Sequence, residues 1–275
     1  MLVQRNAVAE YLRARRARLQ PEDVGLPRAP GRRVAGLRRE EVAALARISP
    51  EYYVRLERGY DHQPSDQVLR ALAQALLLDE SATAYLLRLN NAGTLPTSPS
   101  HRPDSQVPEP IHALLANLTE TPAFVMDGNH DVLAGNALAV ALQSTTLHTG
   151  ANLVLVAFTP ECRERMGELW RAVAERIAAS FRLRGNPDDT RYREVLAEVL
   201  INDPDFPEIW ANHDVKDVSY DMTPHWIDPF GRVPIHWQHL RIPETDLVLV
   251  IGANPPGSEA AAALRYLAET LRSQR

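Results

Sequence analysis

Apolar positions recur with a helical period through the first ninety residues, and the pattern changes character after residue 110. In "VQRNAVAEYLRARRARL", residues 3 to 19, Val8, Tyr11, Leu12, Arg15 and Leu19 share one stripe, which predicts a first helix with a basic outer face. A loop holding Pro27, Pro30, Gly31 and Gly36 follows. Residues 38–46 and 50–58 predict two short helices that flank Arg47, Ile48 and Ser49. "SDQVLRALAQALLL" and "DESATAYLLRLNNAG" predict two more, with Ser65 and Asp79 as N-caps and Gly93 as a C-terminal stop. Five helices are expected by about residue 92.

Residues 94–110, "TLPTSPSHRPDSQVPEP", hold five prolines and several serines without an apolar period, the chemistry of a linker. This places a first domain at 1–93 and a second at 111–275. In the second, "TPAFVMD" and "DVLAGN" predict a hairpin turning near Gly128 and Asn129, followed by a helix near 135–143. Helices are expected over 161–183, 188–201 and 204–213, strands in "VKDVSYDM", "RVPIHWQHL" and "LVLVIGA", and a last helix in "SEAAAALRYLAETLRS". Strands on either side of a helical block predict an α+β domain with an antiparallel sheet.

Charge sharpens this division. The chain carries a net charge of -5, yet residues 1–60 contain 13 Arg against 7 Asp or Glu, so the front is +6 and the remainder -11. On the helix at 50–58, Tyr53 and Leu56 fall on one side and Glu51, Tyr52, Arg55 and Arg58 on the other. On the helix before it, Val42, Leu45 and Ala46 point inward and Arg38 and Arg39 outward. Ala43 and Ala46 are small enough for close helix crossing.

With Leu37, Glu41, Val42, Ala43, Ala46, Ile48, Ser49, Tyr53, Leu56, Glu57 and Gly59, residues 3–92 resemble the lambda-repressor-like, or XRE, helix-turn-helix family. Arg47 departs from that pattern, because many members have Gly in the turn; a positive φ there costs about a kcal/mol for an L-residue. The resemblance implies a five-helix DNA-binding head whose second motif helix enters the major groove. Pro50, Glu51, Tyr52 and Arg55 are then the base-edge candidates, with Arg55 suited to guanine, Glu51 to cytosine and Tyr52 to a thymine methyl or a phosphate. Arg28, Arg32, Arg33, Arg38, Arg39, Ser49 and Arg58 are the phosphate candidates, and Ser49 is also the expected N-cap of the reading helix. Two plainer alternatives stand beside these. Glu51 and Arg55 form an i,i+4 pair in the favourable order, and the arginine-rich loop also suits a solvated face. Glu57 is expected to bridge to Arg16 rather than to contact DNA.

"TPAFVMDGNHDVLAGNALA", "NPDDTRY", "DPDFPEIWANHDV" and "IPETDLVLVIGANPPGSEAAAALRYL" resemble, over about 110–272, the PAS-like ligand-binding domain of MmyB- or MltR-type transcription regulators. That resemblance implies a multidomain sensor with fatty-acid-like ligands. Phe124, Trp170, Phe181, Trp210, Trp226 and Trp237, with His213 and His225, supply the large apolar surfaces and few polar groups of a small-molecule cavity, although most of these aromatics are expected in the core. "WANHDV" suits a helix end at His213 as well.

Other classes find less support. His236 and His239, with His225 or Asp228, invite a metal site, but residues three apart on a strand face opposite ways. GxSxG is absent, and Cys162 sits at a predicted helix end without a recognisable histidine partner, so neither an enzyme nor a cofactor is expected. A head used only for protein contacts would carry acidic or apolar residues where Arg38, Arg39 and Arg55 stand. The lone cysteine excludes an intrachain disulfide, and apolar runs such as Leu247 to Ile251 fall far short of the roughly 18 to 20 residues that span a bilayer. The expectation is a cytoplasmic homodimeric transcription regulator, a repressor, that binds double-stranded DNA and a small apolar or amphipathic molecule.

Overall fold

The computed structural model describes residues 2–28, 32, 34–60, 64–91, 107–143 and 148–274. Two compact units result: 1–99 together with 208–216, and 100–207 together with 217–275.

The first unit holds α1 (Leu2–Arg18), α2 (Arg39–Leu45), α3 (Pro50–Glu57), α4 (Asp66–Ala75) and α5 (Glu80–Asn91). Tyr11 and Leu12 of α1, Leu37, Val42, Tyr53, Leu69, Leu72 and Leu86 are buried between them. Capping chemistry sets the starts: Ser49, Ser65 and Asp79 accept N–H bonds from Tyr52, Val68 and Ala82. Between α2 and α3, Arg47 adopts φ 55°, the strained geometry for which glycine is the easier residue. Gly36 lies so close to the end of α1 that a side chain there would overlap the carbonyls of Arg16 and Ala17. One inward residue is corrected: Leu45 is 36% exposed, because the buried stripe of α2 runs through Val42, Ala43 and Ala46, and Leu45 lies roughly a quarter-turn from its centre.

Glu208–Lys216, which the sequence assigns to the second domain, belongs to this first unit. Asp214 accepts bonds from Arg15, at 2.7 Å, and from Arg18, and the His213 ring sits edge-on to Tyr11.

The second unit is built on one antiparallel sheet of order β2-β1-β5-β4-β3, with β1 (Ala123–Met126), β2 (Val132–Gly135), β3 (Tyr220–Ile227), β4 (Gly231–Arg241) and β5 (Val248–Gly252). Register places Phe124 beside Val250 and His239 beside Val250 from the other side, so these residues share the inner face. That face packs with α7 (Ala137–Gln143) and α13 (Glu259–Ser273) through Ala139, Leu142, Ala260, Ala263 and Leu264. Further helices, α8 (Leu153–Ala157), α9 (Pro160–Met166), α10 (Trp170–Arg184), α11 (Thr190–Asn202) and α12 (Phe206–Ala211), occur between β2 and β3 in sequence. On the outer face, Ala123, Val125 and Leu249 are covered from α6 (Glu109–Asn117) by Leu115 and Ile111. The β3–β4 half of that face leaves Tyr220, Met222, Trp226 and Leu240 exposed.

Three elements differ from expectation. Helix α6 begins inside the segment read as linker; residues 92–106, with Gly93, lie outside the described residues. The stretch expected as one helix over 161–183 is two, broken at Gly167, which has φ 56°. Strand β3 starts at Tyr220 rather than Val215 and continues through Pro224 to Ile227. Proline is tolerated because β3 is an edge strand and Pro224 pairs with Pro234, a position where neither has an N–H to give.

Candidate functional site

Two places gather chemistry, one in each unit. The first is the outer side of α2 and α3. Ser49, Pro50, Glu51, Arg55 and Arg58 are exposed and Tyr52 is half-buried, with the Arg55 guanidinium 5.3 Å from the centre of its ring. The helix is held from behind by Glu57. Its carboxylate is completely buried, and Arg16 Nε and Arg39 Nε donate to it at 2.5 and 2.6 Å, tying α1 and α2 to α3. Burial alone would raise the Glu57 pKa, but the bonds from Arg16 and Arg39 outweigh it and keep the carboxyl below its usual range.

The expected phosphate contacts divide accordingly. Arg28, Arg38 and Arg58 present accessible guanidinium groups, and Arg39 remains about half exposed while bonding Glu57. Arg32 is a correction: its side chain is 4% exposed and spent on Glu41, at 2.6 Å to each oxygen, and on the Gly36 carbonyl. Those bonds from Arg32 are the main reason the Glu41 pKa falls to about 2. Arg33 lies outside the described residues.

The second place is a cavity of about 110 Å³ over the inner sheet face. Phe124 and Met126 of β1, Thr223 and His225 of β3, Trp237 and His239 of β4, and Val250 of β5 form one wall. Opposite them stand Leu153, Val156 and Ala157 of α8, Cys162, Arg165 and Met166 of α9, and Val173, Arg176, Ile177 and Ser180 of α10. Most of the lining is apolar, with a few fixed polar groups. Trp237 Nε1–H donates to Thr223 Oγ1 at 2.9 Å, and that oxygen lies 2.9 Å from His225 Nε2. His130 Nε2 meets Ser180 Oγ at 3.1 Å. Burial is the first cause that lowers the pKa of His130 and His225 to about 3 and of His239 to about 4, followed by the charge of Arg184 at His130 and of Arg165 at His225. All three rings are therefore neutral at pH 7. Arg176 is ion-paired with Asp221. Burial raises the Cys162 pKa against the pull of Arg165, so the thiol stays protonated.

A family model described as "MmyB-like transcription regulator ligand binding domain" matches residues 107–267, more than half of the chain. The chain belongs to the MmyB-like transcription regulators. A second family model, "Helix-turn-helix domain", matches residues 7–86 of this MmyB-like regulator, the part that contains α1 to α5. No curated protein matches the chain. A DNA-binding helix-turn-helix joined to a ligand-binding domain makes this MmyB-like protein a ligand-responsive transcription regulator. No helix among the described residues is long and apolar enough to cross a membrane.

Of the ligand-site residues expected in the MmyB-like domain, Phe124, His225 and Trp237 line the cavity. Five do not, and each has another place. Trp170 packs edge-on against Phe158 and donates to the Ala157 carbonyl at 2.8 Å. Phe181 is fully buried and stacks on Tyr192 at 4.4 Å. Trp226 is 69% exposed on the outer sheet face. Trp210 and His213 fold with the first unit. The polar lining that sequence reasoning missed was signalled on α10, where Val173, Arg176, Ile177 and Ser180 keep an i, i+3, i+4, i+7 stripe containing an arginine. As for metal, His239 lies on the inner face and His236 on the outer, where it bonds the Tyr220 hydroxyl. Among the described residues no group of three or more His, Cys, Asp and Glu is placed to hold a metal ion.

Proposed function

We propose that this protein is a dimeric repressor that reads operator DNA with the start of α3, and that a small apolar or amphipathic molecule in the cavity sets its affinity for DNA. The observation that carries the DNA half is the fully buried Glu57 carboxylate bonded to Arg16 and Arg39, which fixes α3 while Pro50, Glu51, Tyr52 and Arg55 stay accessible. A rigid helix with its first turn outward suits the major groove; Arg55 serves guanine, Glu51 cytosine, and Tyr52 a thymine methyl or a phosphate. Ser49, Arg28, Arg38, Arg39 and Arg58 face the phosphates. Two copies are required because such heads read half-sites about one helical turn apart.

Arg55→Ala is expected to cost about 1–3 kcal/mol on the preferred operator and to relax preference at one or two base pairs, measured by selection from random duplexes. Arg38→Ala is expected to weaken binding to every duplex and to reduce the slope of log affinity against log salt by about one. Arg38 is the better probe than Arg39, whose loss would also disturb Glu57. If both variants bind as the parent does, this face does not read DNA.

A further inference from the structure

We infer that the outward face of β3 and β4 is the surface on which a second copy of this chain packs. The inference rests on the proposed dimeric reading and supplies its interface.

Composition is the first argument. Side chains alternate along a strand, so Tyr220, Met222, Pro224 and Trp226 of β3 point away from the cavity, as do Pro234 and Leu240 of β4. Pro224 is buried and the other five are exposed. Arg232 is the only Arg, Lys, Asp or Glu that the two strands place on this face, although residues 61–275 are strongly acidic. Trp, Tyr, Met and Arg are enriched where proteins bury surface against one another, and Lys, Glu and Asp are depleted there.

The two aromatic rings are also held in place. Trp226 Nε1–H donates to Asp228 Oδ1 at 2.9 Å, and the Tyr220 hydroxyl bonds His236 Nδ1, so their polar atoms are satisfied within the chain and the ring faces are left over. Aromatics fixed in this way lose little freedom on association and serve as its anchors.

Edge, charge and area select a second copy as the occupant. On the free edge of β3, Pro224 has no N–H and the Met222 N–H is taken by Asp221 Oδ1 at 2.6 Å, so a partner packs on the face instead of extending the sheet. With one base, Arg232, and one acid, Asp228, at the hairpin end, the face sums to zero and meets itself without net repulsion. DNA, by contrast, needs a basic surface. Tyr220, Met222, Trp226 and Leu240 leave on the order of 400 Å² open, and the rim around them brings the face to about the 800 Å² per partner that a stable dimer buries.

The test is sedimentation equilibrium of the full chain without DNA. The parent is expected to dimerise, and Trp226→Glu or Met222→Glu to raise the dissociation constant by about thirtyfold or more, as loss of a central anchor does. Ile201→Glu, a change to a still more exposed apolar side chain on α11, 81% accessible, is expected to leave the dimer intact. Circular dichroism checks that each variant folds, and Tyr220→Ser replaces one that does not. Folded face variants that dimerise as tightly as the parent, or an Ile201→Glu that dissociates as they do, overturn this face and leave the dimeric regulator standing. A parent that stays monomeric overturns both; its Trp226 fluorescence then resists acrylamide if another segment of the chain covers the face, and is quenched if the occupant is a different protein.

Discussion

Glu57→Ala is expected to remove about 3–5 kcal/mol from the stability of the helical head and to abolish DNA binding, although Glu57 faces away from solvent and from any duplex. The carboxylate is the meeting point of three helices. It belongs to α3, receives Arg16 of α1 and Arg39 of α2, and Arg16 also donates to the Leu37 carbonyl at 2.8 Å. Deleting it leaves the Arg16 guanidinium, 12% exposed, without its counter-charge. An uncompensated buried cation is far more costly than the intact pair is stabilising, which sets the size of the effect. Glu57→Gln keeps the shape and some hydrogen bonding and should fall between parent and alanine. Urea unfolding followed by circular dichroism, with operator binding on the same samples, measures both consequences. A loss below about 1 kcal/mol in Glu57→Ala would mean that apolar packing alone seats α3.

Acid should destabilise the second unit from about pH 6.5 downward. His130 and His225 are 3% exposed and have pKa values near 3 in the folded chain, against an ordinary value of 6.5. Above pH 6.5 both states hold neutral rings and nothing is lost. Between 6.5 and about 3 the unfolded chain takes up protons that the folded chain refuses, so stability falls as pH falls through that window. At pH 5 the loss amounts to about 2 kcal/mol for each ring, at 1.36 kcal/mol per pKa unit. Burial is the larger part of the refusal, because the packed interior does not solvate an imidazolium, and the charges of Arg184 near His130 and of Arg165 near His225 add repulsion. Urea midpoints from pH 8 to pH 5 should therefore drop steeply, and His225→Gln should remove close to one proton from the slope. Equal stability at pH 8 and pH 5 would show that both rings charge without leaving the fold.

The head was legible in the sequence because its signals are local. Helical stripes, N-cap serines and the small residues Ala43 and Ala46 act over one or two turns, and even the bridge from Arg16 to Glu57 follows from where the stripes face. What failed there depended on competition within a stripe, as with Leu45, or on a partner elsewhere in the chain, as with Arg32 and Glu41. In the second unit the hairpin, β4, β5 and the last helix were visible, whereas β3 was misplaced because Pro224 looks like a strand terminator until its edge position is known. The cavity was the least legible part. Large aromatics were the natural candidates, yet Trp170 and Phe181 are consumed by ring packing and Trp226 sits on the opposite face. The arginine and serine that share a helix stripe with Val173 and Ile177 were the better indicator.

The detour of Glu208–Lys216 into the first unit bears on how the protein can be divided. A fragment ending before residue 100 would carry every helix of the DNA-binding motif but not Asp214, so Arg15 and Arg18 would lose the anion they share and Tyr11 its neighbour His213. The complementary fragment would keep those nine residues with nothing from α1 to receive them. Severing the polypeptide at its proline-rich stretch therefore leaves neither piece whole, and dissection of this regulator is better done by point substitution in the intact molecule.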